Sequence, residues 1–348
     1  MAIVVAAMVT VGGLTRLTGS GLSITQWQPV SGVVPPLTHD AWESAFASYR
    51  QIPQYRFENQ GMTLGQFQTI YWWEWTHRLI GRLLGLVFLL PFLVFAATGA
   101  IPRKDWPRMI VLFALGGLQG AVGWWMVESG LETRVSVSQY RLAIHLGVAL
   151  ILFAALLWTA FEYLRRSPLR AAKAGRDRIA IFANLLPALV YAQMLLGALV
   201  AGLHAGLIYN TWPTMDGRAA PEGAFSQAPW WRNFFENAGL AQFDHRVMAY
   251  IVAAAVLAFW IAARTTRNSP AVRRSSSALV AAVVVQVALG IVTLVSQAPL
   301  ALSAVHQAMA VALFAAALWN AYCSREIRSV VQNHGVIPAK AGTQMHRT

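Results

Sequence analysis

Runs of about 20 predominantly apolar residues recur from one end of this chain to the other, the length at which an α-helix crosses the hydrocarbon core of a bilayer. No water is present there to satisfy backbone N–H and C=O groups, so such a chain has to fold as spanning helices. Of its 348 residues, 57% are hydrophobic and 12% charged, too apolar a mix for a soluble domain of that size. Eight spans are expected, at about 1–15, 76–98, 107–127, 139–162, 178–203, 243–264, 276–298 and 300–322. The first is short: about 15 residues rise roughly 22 Å against a core of about 30 Å. The polar start expected before such a helix is absent, which points to a fragment or a misassigned start. A cleaved signal peptide is disfavoured, because no small-residue cleavage site follows the run. The single cysteine, Cys323, excludes a disulfide within the chain and any multi-cysteine zinc or iron–sulfur site.

A net charge of +13 raises nucleic acid as a partner, but the charges are sorted rather than spread. Seventeen of the 27 basic residues fall in one set of loops, around Arg103–Arg108, Arg165–Arg178, Arg264–Arg274 and the tail from Arg325, with only four acids among them. The other face is neutral. Positive-inside sorting accounts for the whole excess, so the basic face is cytoplasmic, both termini lie inside, and no nucleic-acid partner is needed. Tryptophans cluster near segment ends, among them Trp72, Trp73, Trp75, Trp124, Trp125, Trp158, Trp260 and Trp319, as an interfacial belt requires. Two long external segments, 16–75 and 204–242, are rich in Gly, Pro and Trp and read as ordered covers over sites. The tail, 330–348, reads as disordered.

Four histidines, His77, His145, His245 and His306, each lie within about two turns of the same end of their own apolar run, the external end. They fall into two pairs of similar spacing, 68 and 61 residues. Ionisable side chains inside a bilayer are costly and usually functional. Two histidines facing each other across a helix bundle make a clamp for a heme iron, so the pattern suggests two heme pockets opening toward the periplasm or the outer leaflet. Gly81 and Gly85 follow His77 on one helical face, and Ala249 and Ala253 follow His245. Small residues there leave room for a flat macrocycle; close helix packing is the plainer explanation. Arg78 and Arg246, next to their histidines, are candidates for bidentate contact with heme propionates. Arg82 divides evenly between that role and reaching out to lipid headgroups. Glu74 stands three residues before His77, where the other half has Gln242. An acid beside one iron site and an amide beside the other suggests different work: proton relay at the first, electron transfer at the second. The alternative for Glu74 is a solvated interfacial acid paired with an arginine. Asp244 either orients a neighbouring group or simply starts its helix. His39, His204, His334 and His346 fall outside the pattern, and His204 is read as structural.

The halves echo each other. Trp75-Thr76-His77-Arg78 matches Phe243-Asp244-His245-Arg246, Gln119-x-x-x-Gly123 matches Gln286-x-x-x-Gly290, and His145 matches His306. Each half holds four helices, an even number, so the repeats are parallel. The expected architecture is an all-α membrane protein: eight transmembrane helices as two four-helix bundles related by a pseudo-twofold axis along the membrane normal. The first bundle covers residues 1–165 and the second 176–325.

Gly12-Gly13-Leu14-Thr15-Arg16-Leu17-Thr18-Gly19-Ser20-Gly21-Leu22-Ser23-Ile24, with Trp27, Pro29, Gly32 and Pro35-Pro36-Leu37, resembles the first-loop signature of heme A synthases. Tyr71-Trp72-Trp73-Glu74-Trp75-Thr76-His77-Arg78 does so too. The resemblance is to the alpha-proteobacterial and mitochondrial form and covers about residues 1–325. Some Gram-positive relatives carry a cysteine pair in the first external loop; this chain has none there. The resemblance implies oxidation of the C8 methyl of heme O to a formyl group, by successive hydroxylations to a geminal diol that dehydrates, giving heme A for cytochrome oxidase. It implies a heme b on His245 and His306, substrate heme on His77 and His145, and Glu74 as the essential acid. It also implies a bacterial inner membrane location. The expected partners are the heme O substrate, the heme O synthase that precedes it, an unidentified electron donor and the bilayer, with a homo-oligomer left open.

Two other functions compete. A diheme b-type electron carrier would place its hemes on opposite faces, whereas all four ligands here lie near one face. A heme transporter would not retain a low-spin heme through detergent purification. Heme O synthase itself is excluded, since a prenyl transferase needs aspartate-rich magnesium motifs and no Asp-x-x-x-Asp occurs.

Overall fold

The computed structural model describes residues 1–164, 178–265 and 268–334, with side chains described to residue 325. It is built from helices α1 (Ala2–Leu17), α2 (His39–Tyr49), α3 (Pro53–Phe57), α4 (Leu64–Ala97), α5 (Trp106–Glu128), α6 (Gln139–Leu164), α7 (Arg178–Gly202), α8 (Asn233–Glu236), α9 (Ala238–Thr265), α10 (Pro270–Val295) and α11 (Leu300–His334), with short 3-10 turns between. Seven of them, α4 to α7 and α9 to α11, are long and apolar enough to cross a membrane. The eighth expected span, α1, is apolar as well, but its 16 residues rise only about 24 Å. The chain is a multi-pass membrane protein.

One apolar core runs through both halves, joining Val9 of α1, Leu150 and Phe153 of α6, Leu186 and Val190 of α7, Phe259 of α9, Leu279 of α10 and Phe314 of α11. In lipid such a core is held by close packing and interhelical hydrogen bonds rather than by exclusion of water. Helix α1 packs on α4, α6 and α11, and α7 packs on α9, α11 and α6. Polar fasteners cross the middle. The Gln307 amide donates to the Val9 carbonyl at 2.6 Å, the Tyr322 hydroxyl to the Phe161 carbonyl at 3.1 Å, and Arg16 to the Ala201 carbonyl. Gly202 allows a close approach to backbone: a Cβ there would lie 2.8 Å from the Gln139 Cα.

The segment between α1 and α4 is not an open loop. Helix α4 begins at Leu64 rather than near residue 76, because Thr63 and Gln66 form a capping box and the helix then projects beyond the apolar run. Its outer turns bury Phe67 and Tyr71 in an aromatic cluster with Leu22, Phe46, Tyr49 and Ile52. Phe46 and Phe67 stack at 4.9 Å between centroids. Helix α9 likewise begins before residue 243, at Ala238, and α10 before 276, at Pro270, where Ser269 caps it. Residues 330–334 of the expected disordered tail continue α11. Its remainder from 335, and the arginine-rich loop 165–177, lie outside the described residues.

Candidate functional site

Three of the four histidines are held by the same device. On α6, His145 faces α5. A Cβ added to Gly123 would lie 2.9 Å from its Cε1, and the Gln119 amide nitrogen is 3.2 Å from Nδ1 and 3.4 Å from Nε2. On α11, His306 meets Gly290 and Gln286 of α10 at 2.9, 3.2 and 3.4 Å in the same order. On α9, His245 meets Gly197 and Gln193 of α7 at 3.1, 3.2 and 3.4 Å. One helical turn separates each glutamine from its glycine, so both face the ring. On α4, His77 meets Gly12 of α1. His77 and His145 stand on α4 and α6, and His245 and His306 on α9 and α11, the matching helices of the two halves. The repeated Gln193-x-x-x-Gly197 was not singled out from the sequence; its spacing, identical to the other two, was the available signal.

Glu74 is buried, at 2% exposure. Its carboxylate accepts from the Ser23 hydroxyl at 2.7 Å and the Ile24 N–H at 2.8 Å, and pairs with Arg78 one turn on. It is therefore paired with an arginine, but inside the protein rather than at a wet interface. Gln242 is as buried and does the complementary job. Its amide donates to the Ala205 carbonyl at 2.8 Å and the Tyr209 carbonyl at 3.2 Å, and its oxygen accepts from Arg246 at 3.1 Å. The loop after α1 presents donors to its brace, and the loop after α7 presents acceptors. An acid suits the first and an amide the second.

The arginines serve these loops as well. Arg78 donates to the Ile24 carbonyl at 2.9 Å and the Gln26 carbonyl at 3.3 Å, and Arg82 to the Gln28 and Pro29 carbonyls at 2.8 and 3.0 Å. Arg246 donates to Tyr209, Thr211 and Thr214 carbonyls at 2.8, 3.0 and 3.3 Å. Among the arginine donors of the described residues, Arg82 Nη1 and Arg246 Nε are buried and left over. Trp27 packs edge-on to Trp124 at 5.1 Å, and the Arg78 guanidinium lies 5.7 Å from the Trp124 ring, closing the cover above α4 and α5. Asp244 lines a shallow apolar cavity of about 370 Å³ with Leu196, Phe234, Phe235 and Met248. His204 follows α7 in a left-handed conformation, φ 52°, 3.4 Å from an Arg16 nitrogen. Burial, and then the Arg16 charge, push its pKa down, as suits a structural histidine.

These residues fit heme. Among the described residues no three His, Cys, Asp or Glu side chains converge on one point, whereas a heme iron takes two axial ligands. An imidazole bound to iron through one nitrogen carries N–H on the other and needs an acceptor. Gln119, Gln193 and Gln286 each keep a buried side-chain oxygen without a partner beside a ring; a half-turn of the amide is free at Gln119, whereas Gln193 and Gln286 also donate to the His245 and His306 carbonyls at 3.0 and 3.2 Å. The Arg82 and Arg246 donors left over suit propionates. Around Gly85, Gly116 and Gly120 an added Cβ would meet nothing within 4 Å, leaving open space beside α4 and α5.

Residues 1–318 match the family described as COX15-CtaA, cytochrome oxidase assembly protein. The chain belongs to the COX15-CtaA family. The match takes in Glu74 and all four paired histidines. A heme A synthase of Parvibaculum lavamentivorans is 49% identical over 92% of this chain and 91% of its own length. One of Rhodopseudomonas palustris is 51% identical over 92% of this chain and 86% of its own, and one of Nitrosospira multiformis 47% over 90% and 88%.

Proposed function

We propose that this COX15-CtaA protein is a heme A synthase, a membrane oxidoreductase that converts heme O to heme A. The observation that carries the reading is identity of about half to heme A synthases along nine-tenths of the chain, with one histidine on each of four long apolar helices at matching places in the two halves. Residues 1–165 form the substrate unit and 176–325 the heme b unit, two parallel four-helix bundles related by a pseudo-twofold axis. The matched packing of α1 on α4 and of α7 on α9 supports that division. His245 and His306 hold heme b, which supplies electron transfer when bound. His77 and His145 hold the heme O substrate. Glu74 stands one turn from His77 and handles protons as the C8 methyl is oxidised to the formyl group. Arg78 and Arg246 hold the covering segments closed, and Arg82 and Arg246 have donors to spare for propionates.

Both termini are cytoplasmic and the sites face the periplasmic side of the inner membrane, as the sorted basic residues support. The heme O comes from a heme O synthase, and heme b exchanges electrons with a separate redox partner. The test is co-expression with a heme O synthase, followed by pigment extraction. A new formyl-bearing heme in the extract is expected; unchanged heme O would refute the assignment.

A further inference from the structure

His77 is the exception among the four histidines, in two respects. The glutamine four residues before each facing glycine, present at 119, 193 and 286, is replaced on α1 by Met8. Among the described residues no hydrogen bond reaches the His77 ring, whereas His145, His245 and His306 each have a glutamine amide at 3.2 Å. The ring is also turned differently. A Cβ on Gly12 would meet Nε2 at 3.1 Å and Cδ2 at 3.6 Å, whereas the other three rings present Cε1 to their glycines. The Met8 methyl reaches along α4 toward Gly81, lying 3.8 Å from where a Cβ there would stand.

A thioether is a weak acceptor on a flexible stem and cannot orient an imidazole as an amide does. Partners that orient a metal-bound histidine are worth about 10- to 100-fold in affinity. The C-terminal pair has both rings held by glutamine, and the N-terminal pair has one held and one held by packing alone. We propose that Met8 makes His77 the releasing ligand: heme leaves the N-terminal pocket by opening the bond to His77, while His145 stays oriented by Gln119. A pocket that turns over its heme needs one such ligand; a pocket that keeps its heme needs none. The inference rests on the N-terminal pocket being the substrate site.

The test uses the full-length protein in detergent, holding its resident heme and loaded with ferric heme O, with excess apomyoglobin as acceptor. Heme transfer read by absorbance is expected in a fast phase from the N-terminal pocket and a slow phase from the other. Met8→Gln should slow the fast phase about tenfold or more and leave the slow phase alone. Met8→Leu, which adds no hydrogen bond, should leave both unchanged. Gln193→Met should speed the slow phase by a similar factor, and it stands as the test if Met8→Gln does not fold. Equal fast phases in wild type and Met8→Gln, or an unchanged slow phase in Gln193→Met, would overturn the proposal while leaving the substrate site standing. If His77→Ala and His145→Ala both load heme O as wild type does, the substrate-site reading falls, and this proposal with it.

Discussion

Replacing Glu74 by Gln separates a chemical role from a bracing one. The change keeps the volume and one side-chain oxygen, so Ser23 and the Ile24 N–H retain an acceptor. Arg78 loses its anion and faces an amide N–H instead, though it keeps the Ile24 and Gln26 carbonyls. Removing one partner of a buried ion pair costs about 3–5 kcal/mol. With two carbonyls still in place the low end applies, about 3 kcal/mol, on the order of a hundredfold in docking of the segment after α1. Ser23→Ala removes one hydrogen bond to the carboxylate, about 1.5 kcal/mol or roughly tenfold. The assay is heme A formed per resident heme b in cells supplied with heme O. Glu74→Gln is expected to give no detectable heme A, a loss well beyond a hundredfold, with the heme b spectrum intact. Ser23→Ala is expected to lose about tenfold or less. Full activity in Glu74→Gln would refute the catalytic assignment. A loss confined to about a hundredfold, in proportion to Ser23→Ala, would make Glu74 a brace alone.

His245→Ala and His306→Ala should each abolish the low-spin spectrum of the resident heme b, read by reduced-minus-oxidised difference spectroscopy. Gly202→Ala should lower stability in detergent by about 1–3 kcal/mol, seen as a lower Tm. The added methyl would press on the Gln139 backbone, which cannot swing aside as a side-chain tip can. The segment between α7 and α9 is tied to α6 by Glu236, which accepts from Tyr140 at 2.9 Å and pairs with Arg232. The hydrogen bond from Arg232, then that from Tyr140, hold the Glu236 carboxyl below its ordinary value of 4.5. A lowered folded-state pKa means the tie is fully present above that ordinary value and is lost as pH falls below it. Thermal stability should therefore show an acid-side loss that Glu236→Gln removes.

Much of the helical plan was legible because a bilayer leaves few options: where apolar runs of about 20 residues occur, the backbone must be helical. The boundaries were less so. The outer turns of α4 carry Gln66, Gln68 and Glu74 among aromatics, a mix that reads as loop until Phe46, Tyr49 and Leu22 arrive from elsewhere to bury one face. The capping box at Thr63 and Gln66 was the local sign. The histidines stood out by their position near segment ends, and the repeat set out which of them correspond between the halves. Residue spacing alone could not tell that Glu74 and Gln242 brace loops of opposite hydrogen-bonding polarity, since those loops lie some 50 and 35 residues away along the chain.

Recurring apolar runs are a property of a chain in a bilayer, so the sequence alone determined that this protein is helical and membrane-spanning. Which face of each ring is held, and by whom, was decided by how α1, α5, α7 and α10 pack on their neighbours. That packing sets Gly12, Gly123, Gly197 and Gly290 against the imidazoles and leaves Met8 where the other three helices carry glutamine. A side chain's hydrogen-bond partner on another helix depends on rotation and depth as well as on residue type, and those quantities exist only once the helices have docked.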